Sequence, residues 1–429
     1  MSPRIAILDG VRTPFAKAGG VLKEVAADDL GTIVVREVLA RTELDPSMID
    51  EVVIGNVAQP VHAANVSRVI ALKAGLPAQV VAHTVHRNCA SGMQALTAAA
   101  MQIACGRADL VIAGGVESMS QIPLLFGRQM TELFVRLMKA RTLGQRLRAL
   151  AGFRISHLKP VVAIQLGLTD PVCGLNMGET AEVLAGEFGI TRKEQDRFAL
   201  RSHRSAAAAM ASGRLDEEIV PAPVMPAFDR LQTTDDGPRP DQSMDALAKL
   251  RPFFDRHAGT VTAGNACPIT DGAVALVLAS ERRVKELGLR PLGWMTGHAY
   301  AGLEGRRMGL GPAFAVSALL HDMRMELHDF DVIELNEAFA AQVLANRMAF
   351  ASEAFAREHL GRKRAIGDLS DEKLNVNGGA IAFGHPVGAT GARLVLTALR
   401  ELRRRGGGRG LATLCISGGQ GAAIALEAA

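Results

Sequence analysis

One recurring pattern constrains this chain more than any other. A short run of apolar residues is followed by a turn and then by a segment with apolar side chains at helical spacing. Ile5–Leu8 and Glu51–Gly55 (EVVIG) are two such runs, with helical segments at Ala27–Leu39 and Val66–Ala74. Leu110–Ala113 (LVIA) is a third and is expected to end at Gly114-Gly115. The C-terminal third repeats the theme: Phe330–Leu335 (FDVIEL) and Leu411–Cys415 (LATLC) are runs, Gly418-Gly419 follows the second, and Ala392–Arg404 is helical. Runs dominated by consecutive apolar residues belong to strands covered on both faces, and their alternation with helices places the chain in the α/β class.

Two stretches resemble each other. Cys89-Ala-Ser-Gly leads into a helix and then GRADLVIAGG; His385-Pro-Val-Gly-Ala-Thr-Gly leads into a helix and then GRGLATLCISGG. Two structurally related halves follow from this, and 429 residues exceed what one ordinary core accommodates. A region of different character, roughly 121–250, lies between them. Within it, Arg128–Lys159 carries eight Lys/Arg and one acid, Glu132. Leu133, Leu137, Ala140, Leu143 and Leu147 interleave with these charges at helical spacing, which predicts a basic amphipathic helix on an insertion. Such a helix is either a solvated face or a surface for a phosphate-rich ligand, an acidic partner or an anionic membrane. Thr191–Ala211 is a strong helix, with Thr191 as cap and Glu194 completing a capping box. Pro221–Pro240 reads as a loop.

Several function classes are excluded or disfavoured. Aromatic residues are 4% of the chain and the net charge is only +4, so no nucleic-acid role is indicated. Five widely spaced cysteines without a CxxC pair indicate neither a disulfide framework nor a zinc site, and imply a reducing compartment. The N-terminal apolar stretch is about five residues, far from a signal peptide or membrane span. The expected location is the cytoplasm.

Four segments could carry chemistry. In His86–Leu96, Cys89 precedes a helix whose N-terminus would lower a thiol pKa; the alternative is a small buried hydrophobe. In Asn375–Arg393, Gly384-His385-Pro386 holds a histidine in a rigid turn, as a base, an oxyanion donor or simply a turn residue. In Leu414–Ala423, Cys415 ends a strand before a glycine-rich turn whose N–H groups could meet an oxyanion. In Glu334–Gln342, Asn336 sits at a strand-to-helix turn, either orienting a water or capping the helix.

In order and together, these segments resemble the four signature loops of the thiolase family. Cys89-Ala-Ser matches the nucleophile loop, Asn336-Glu-Ala-Phe the water-holding loop, Gly384-His385-Pro386 the histidine loop and Cys415-Ile-Ser-Gly the acid/base cysteine loop. Arg12-Thr-Pro-Phe, Asn176-Met-Gly-Glu-Thr-Ala-Glu, Thr260-Val-Thr-Ala-Gly-Asn and Thr270-Asp-Gly-Ala extend the resemblance over essentially the whole chain. The resemblance implies a thiolase fold: two βαβαβαββ halves in a five-layer α-β-α-β-α arrangement. An N-terminal domain of about 1–280 would hold a loop domain of about 121–250, and a C-terminal domain would span 281–429.

It also implies roles. Cys89 would be the acyl-carrying nucleophile and His385 its base and an oxyanion donor. Cys415 would be the acid/base, Asn336 would orient a water, and Ser417 would give a backbone N–H to an oxyanion. Met177, Ala263, Asn265, Cys267 and Gly384 would lie along the substrate and CoA. No metal or organic cofactor is expected, since CoA is itself a substrate. The implied activity is acyl transfer from 3-ketoacyl-CoA to CoA. Running the same residues towards condensation would give an acetoacetyl-CoA thiolase. A decarboxylating ketoacyl synthase lacks a counterpart of Cys415, and a non-enzymatic acyl-CoA scaffold would have no use for the four groups. The stretch KARTLGQRLRALAGFRISHLKP resembles the insertion of thiolases serving as β subunits of the fatty-acid β-oxidation complex. That branch usually has His where this chain has Asn336, and many thiolases have Gly at 417 and Ser at 267. A homodimer or homotetramer, an α subunit with hydratase and dehydrogenase activities, and peripheral membrane contact through the insertion are the partners so implied. Cys105 is expected in a helix core, and Cys173 and Cys267 are expected to have no part in catalysis.

Overall fold

A computed structural model describes residues 4–429. The chain begins with β1 (Ile5–Arg12), α1 (Ala27–Thr42), β2 (Glu51–Gly55), α2 (Val66–Lys73), β3 (Val81–Val85), α3 (Ser91–Ala104) and β4 (Leu110–Glu117). A long excursion carries α4 (Arg128–Lys139), α5 (Leu143–Ala151), α6 (Met177–Glu187) and α7 (Arg192–Ala211). The remainder is β5 (Thr270–Ser280), β6 (Gly293–Gly302), α8 (Gly311–Met323), β7 (Val332–Leu335), α9 (Ala340–Ala351), α10 (Thr390–Arg404), β8 (Arg409–Ile416) and β9 (Gln420–Ala428).

The strands form one path, β7-β8-β9-β6-β1-β5-β4-β2-β3. Its two ends are copies of one topology. In the first, β1 pairs antiparallel with β5, β5 antiparallel with β4, and β4 parallel with β2. In the second, β6 pairs antiparallel with β9, β9 antiparallel with β8, and β8 parallel with β7. The halves join where Ile5, Ala6 and Ile7 of β1 meet Met295, Trp294 and Gly293 of β6. The first half adds β3 as an outer parallel strand.

The uninterrupted apolar runs split between layers because successive side chains point to opposite faces. On β1, Ile5 and Ile7 face a central core while Ala6 and Leu8 face an outer one under α1 and α2. On β9, Ala422, Ile424 and Leu426 face the same central core, while Ala423 and Ala425 face a third core under α8 and α9. The result is five layers, helix-sheet-helix-sheet-helix. The central layer is α3 and α10, and they cross at glycines. A Cβ on Gly92 would lie 2.8 Å from Ala392 N, and one on Gly391 would lie 2.7 Å from Met93 N. No larger residue permits that approach.

Three local expectations change. The strand expected to end at Gly114-Gly115 runs on to Glu117. These glycines are strand residues under close contact: a Cβ would lie 2.0 Å from Val274 O and 1.9 Å from Gly388 O respectively. The excursion lies within the first half, not between the halves, since it links β4 to its neighbour β5. The basic segment is two helices, not one. Ala140 leaves helical geometry and Thr142 starts α5 with a capping box to Gln145. A two-stranded ladder, Leu124–Phe126 with Pro160–Val162, closes the base of this helical hairpin. Met130 and Leu133 are buried, but Leu143 (73%) and Leu147 (59%) are exposed.

Candidate active site

The duplicated topology brings equivalent loops together. Cys89 lies just before the N-terminus of α3, and His385 lies in the loop before the N-terminus of α10. Cys415 is at the end of β8, and Asn336 follows β7. The crossing of α3 and α10 therefore sets the first two loops side by side, and the parallel strands β7 and β8 deliver the other two.

Cys89 is half-buried in a tight turn. Asn88, with a left-handed φ of 45°, is fixed by Ser91 Oγ, which donates to its carbonyl at 2.7 Å. Asn88 Nδ2 donates to Ser417 O at 2.9 Å, tying the nucleophile loop to the turn after β8. The backbone N–H groups of Ser417 and Cys89 itself favour the thiolate, but burial outweighs them and Glu117 adds to it, so the thiol is held above its usual pKa. The expected lowering by the helix end is thus overturned by desolvation.

His385 is buried, and burial together with the Arg393 charge holds its imidazole down to about 3. Its Nδ1 lies 2.6 Å from Thr390 Oγ1, and that hydroxyl donates to Pro386 O at 3.0 Å. Thr390 can then only accept, so Nδ1 carries the proton and Nε2 presents a lone pair. Nε2 has no partner among protein atoms. Cys415 is buried and its thiol is held far above the usual value, chiefly by burial and then by Cys89 and Cys267. Asn336 is fully buried, and neither its Oδ1 nor its Nδ2 has a protein partner.

The residues expected along CoA divide. Met177 lines the cavity around Cys89. Asn265 does not face it: its Nδ2 donates to Asp196 Oδ1 and Thr260 O, and its Oδ1 accepts from Thr262 N. Ala263 is exposed beside that turn, and Gly384 is buried against Thr270. Cys267 lies beside the signature loops. Its N–H donates to Ala338 O at 3.0 Å, and the next carbonyl, Pro268 O, accepts from His385 N at 3.1 Å. The thiol is pushed up to about 12 by burial and by Cys89. Cys173 lines an adjoining cavity with Ser417. Cys105, expected in a helix core, is exposed at the end of α3.

Two residues were missed. Thr390 lies in the glycine-rich run after His385, where nothing local marks it as a partner of the imidazole. Glu117, buried at the end of β4, accepts from Asn56 Nδ2, Val57 N, Ala58 N and Gly388 N at 2.9–3.0 Å. It locks the histidine loop to the loop at 56–58. Burial pushes its carboxyl up to about 7 against the pull of these four donors. A carboxylate two residues beyond a glycine pair inside a strand was the available signal.

A cavity of about 550 Å³ opens on Cys89 and Ser417, within the range of roughly 300–1,000 Å³ common for ligand sites. The arrangement sets a thiol facing a cavity, a neutral imidazole, a second, buried neutral thiol and backbone donors on adjoining loops. That is the equipment for covalent acyl transfer through a carbanion.

Comparison with known proteins agrees with this chemistry. Residues 5–282 match the thiolase N-terminal domain and residues 289–428 the thiolase C-terminal domain. A 3-ketoacyl-CoA thiolase of Yersinia enterocolitica is 45% identical over 425 residues, covering 99% of this chain and 97% of the relative. Among solved structures, the acetyl-CoA acetyltransferase of Bacillus anthracis superposes with a TM-score of 0.88 at 39% identity, covering 100% of this chain and 99% of that one. Human mitochondrial 3-ketoacyl-CoA thiolase in complex with CoA gives 0.85 at 33% identity, covering 100% and 98%.

Proposed function

The chain belongs to the thiolase family, and we propose that it works as a 3-ketoacyl-CoA thiolase in the degradative direction. The observation that carries this reading is the adjacency of the four loops, with Asn88 bonded to Ser417, the glycine crossing of α3 and α10 beside them, β7 paired with β8, and a largely apolar cavity opening on Cys89.

In this reading His385 Nε2 takes the Cys89 proton and the thiolate attacks the 3-keto carbon. The N–H groups of Cys89 and Ser417 hold the resulting oxyanion. The bond between C2 and C3 breaks, its electron pair passing into an acetyl-CoA enolate. His385, now protonated, and a water held by the Asn336 amide stabilise the enolate oxygen. Cys415 gives its proton to the enolate carbon, and acetyl-CoA leaves. Free CoA then loses its thiol proton to Cys415 and attacks the acyl group on Cys89, releasing the shortened acyl-CoA while His385 returns its proton to the departing Cys89 sulfur. A thiol held above its usual pKa suits Cys415, because it must arrive protonated. CoA and 3-ketoacyl-CoA are the substrates, and the reaction uses no metal or organic cofactor.

The resemblance to an acetyl-CoA acetyltransferase keeps a condensing reading alive, with identical chemistry. Steady-state thiolysis of a four-carbon and a sixteen-carbon 3-ketoacyl-CoA separates the two. Turnover of both supports the degradative reading, and turnover of the short substrate alone defeats it.

The partner surfaces belong to the same proposal. β3 is bonded on one side only, and its free edge is where a second copy would add to the sheet. The basic hairpin is where an α subunit with hydratase and dehydrogenase activities, or an anionic lipid surface, would dock. A cytoplasmic location fits both.

A further inference from the structure

The cavity above Cys89 has a second wall that the chemistry does not use. Met119, Ile122 and Pro123 lie immediately before the basic hairpin, and Ala163, Ile164 and Leu168 lie immediately after it. All six line the cavity, so the two feet of the hairpin form one side of it. The lining contains no Lys or Arg that could meet the phosphates of a nucleotide. Beyond Pro123 the apolar surface continues outward along Leu124 and Phe126, which are 66% and 57% exposed. A cavity that starts at the nucleophile, has one wall of largely aliphatic side chains, lacks Lys and Arg and opens onto an apolar ridge fits an extended alkyl chain.

We propose that the long acyl chain of the substrate lies between the feet of the inserted hairpin, and that Ile122 and Ile164 set how long a chain is accepted. This rests on the thiolase reading and deepens it. It explains why a hairpin that would dock on a partner or a lipid surface is rooted at the cavity: the alkyl chain leaves the active site beneath it. Both isoleucines are only partly buried, so larger side chains can be placed there without overfilling a core.

The test is the double variant Ile122→Trp/Ile164→Trp, assayed for thiolysis of a sixteen-carbon and a four-carbon 3-ketoacyl-CoA. The expected result is a loss of about tenfold or more in kcat/KM for the long substrate, with the short one within about twofold. Ile164→Ala should leave the long substrate at or above the parent rate. Unchanged long-chain kcat/KM in the double variant would overturn the proposal, and so would equal losses on both substrates.

A second readout is independent of thiolysis. Modification of Cys89 by methyl and by hexadecyl methanethiosulfonate, followed by intact mass, should be slowed in the double variant for the hexadecyl reagent alone. Equal rates with the parent for both reagents would overturn the channel. If the parent fails to turn over either thioester, the thiolase reading falls, and the mass experiment still decides the channel.

Discussion

The Nδ1 of His385 sits 2.6 Å from Thr390 Oγ1, a hydroxyl whose own proton is committed to Pro386 O. A residue five positions along the chain, at the start of α10, therefore fixes which imidazole nitrogen carries the proton. Thr390→Val keeps the shape and removes the acceptor. The Nδ1–H is then buried without a partner, which costs about 1–3 kcal/mol of stability. It also frees the ring to adopt the other tautomer, in which Nε2 can no longer accept from Cys89. The expected outcome is a fall in kcat of at least about tenfold. Thr390→Ser, which restores the oxygen, should recover most of it. Loss of stability without loss of kcat would separate the hydroxyl from the chemistry.

In the proposed mechanism, Cys89 and His385 should also show a distinctive pH dependence. The Cys89 thiol lies above its usual pKa and the His385 imidazole is held down to about 3. The resting pair is then neutral near pH 7, not an imidazolium and a thiolate. Alkylation of Cys89 by iodoacetamide should rise with pH through 7 and 8 without levelling, and show no inflection near the usual histidine value of about 6.5. A plateau beginning at pH 6–7 would instead reveal a preformed ion pair.

The proposed division of labour between Cys89 as nucleophile and Cys415 as acid predicts opposite partial reactions. Cys89→Ala should form no acyl-enzyme, read as the absence of a mass shift with 3-ketoacyl-CoA. Cys415→Ala keeps the nucleophile and base, so it should still acquire the acyl group. Without its proton donor it should exchange the α-protons of acetyl-CoA with deuterium oxide at least about a hundredfold more slowly. Equal loss of acylation in both variants would remove the distinction.

Glu117 predicts a stability effect with little change of shape. Four N–H groups converge on its carboxylate from Asn56, Val57, Ala58 and Gly388. Glu117→Gln turns an NH2 towards donors that need an acceptor. Roughly 2–4 kcal/mol of unfolding free energy should be lost, seen as a lower midpoint in urea with unchanged slope. Because the same carboxylate holds the Gly388 turn, His385 should be displaced with it and kcat should fall more than KM changes.

How much of this was legible in the sequence depends on whether the cause was local. Glu51–Gly55 is a strand with the expected bounds, since the apolar run Val52–Ile54 forms its centre. Thr191 caps α7 with Glu194 as its reciprocal partner, since a capping box is written in four consecutive residues. The failures have distant causes. Gly114 and Gly115 read as a strand end because glycine usually breaks strands, whereas here Val274 and Gly388 press on them from other elements. The thiol of Cys89 reads as acidified from its helix end alone, but the desolvation that overrides it comes from packing no local motif records. The placement of the Cys267 segment is likewise out of local reach, because it lies far along the chain from the signature loops. Its neighbours Ala338 and His385 are brought to it by the fold.

The hairpin separates local charge from catalysis most cleanly. Arg136, Lys139, Arg146 and Arg148 are all exposed, on two helices that project from a ladder of six residues. None lines the cavity on Cys89. Each basic residue held near an anionic lipid surface contributes about 1 kcal/mol. Replacing all four by Gln should therefore weaken binding to vesicles containing phosphatidylserine by about two to three orders of magnitude at low salt. Raising the salt should weaken the parent in the same direction. Four-carbon thiolysis should be unaffected, because the substitutions lie outside the walls of the cavity. If vesicle binding is absent in the parent, but an α subunit co-sediments with the parent and not with the variant, the basic hairpin is a protein-docking surface. If neither binds the parent, the charges serve only to keep the exposed apolar ridge in solution.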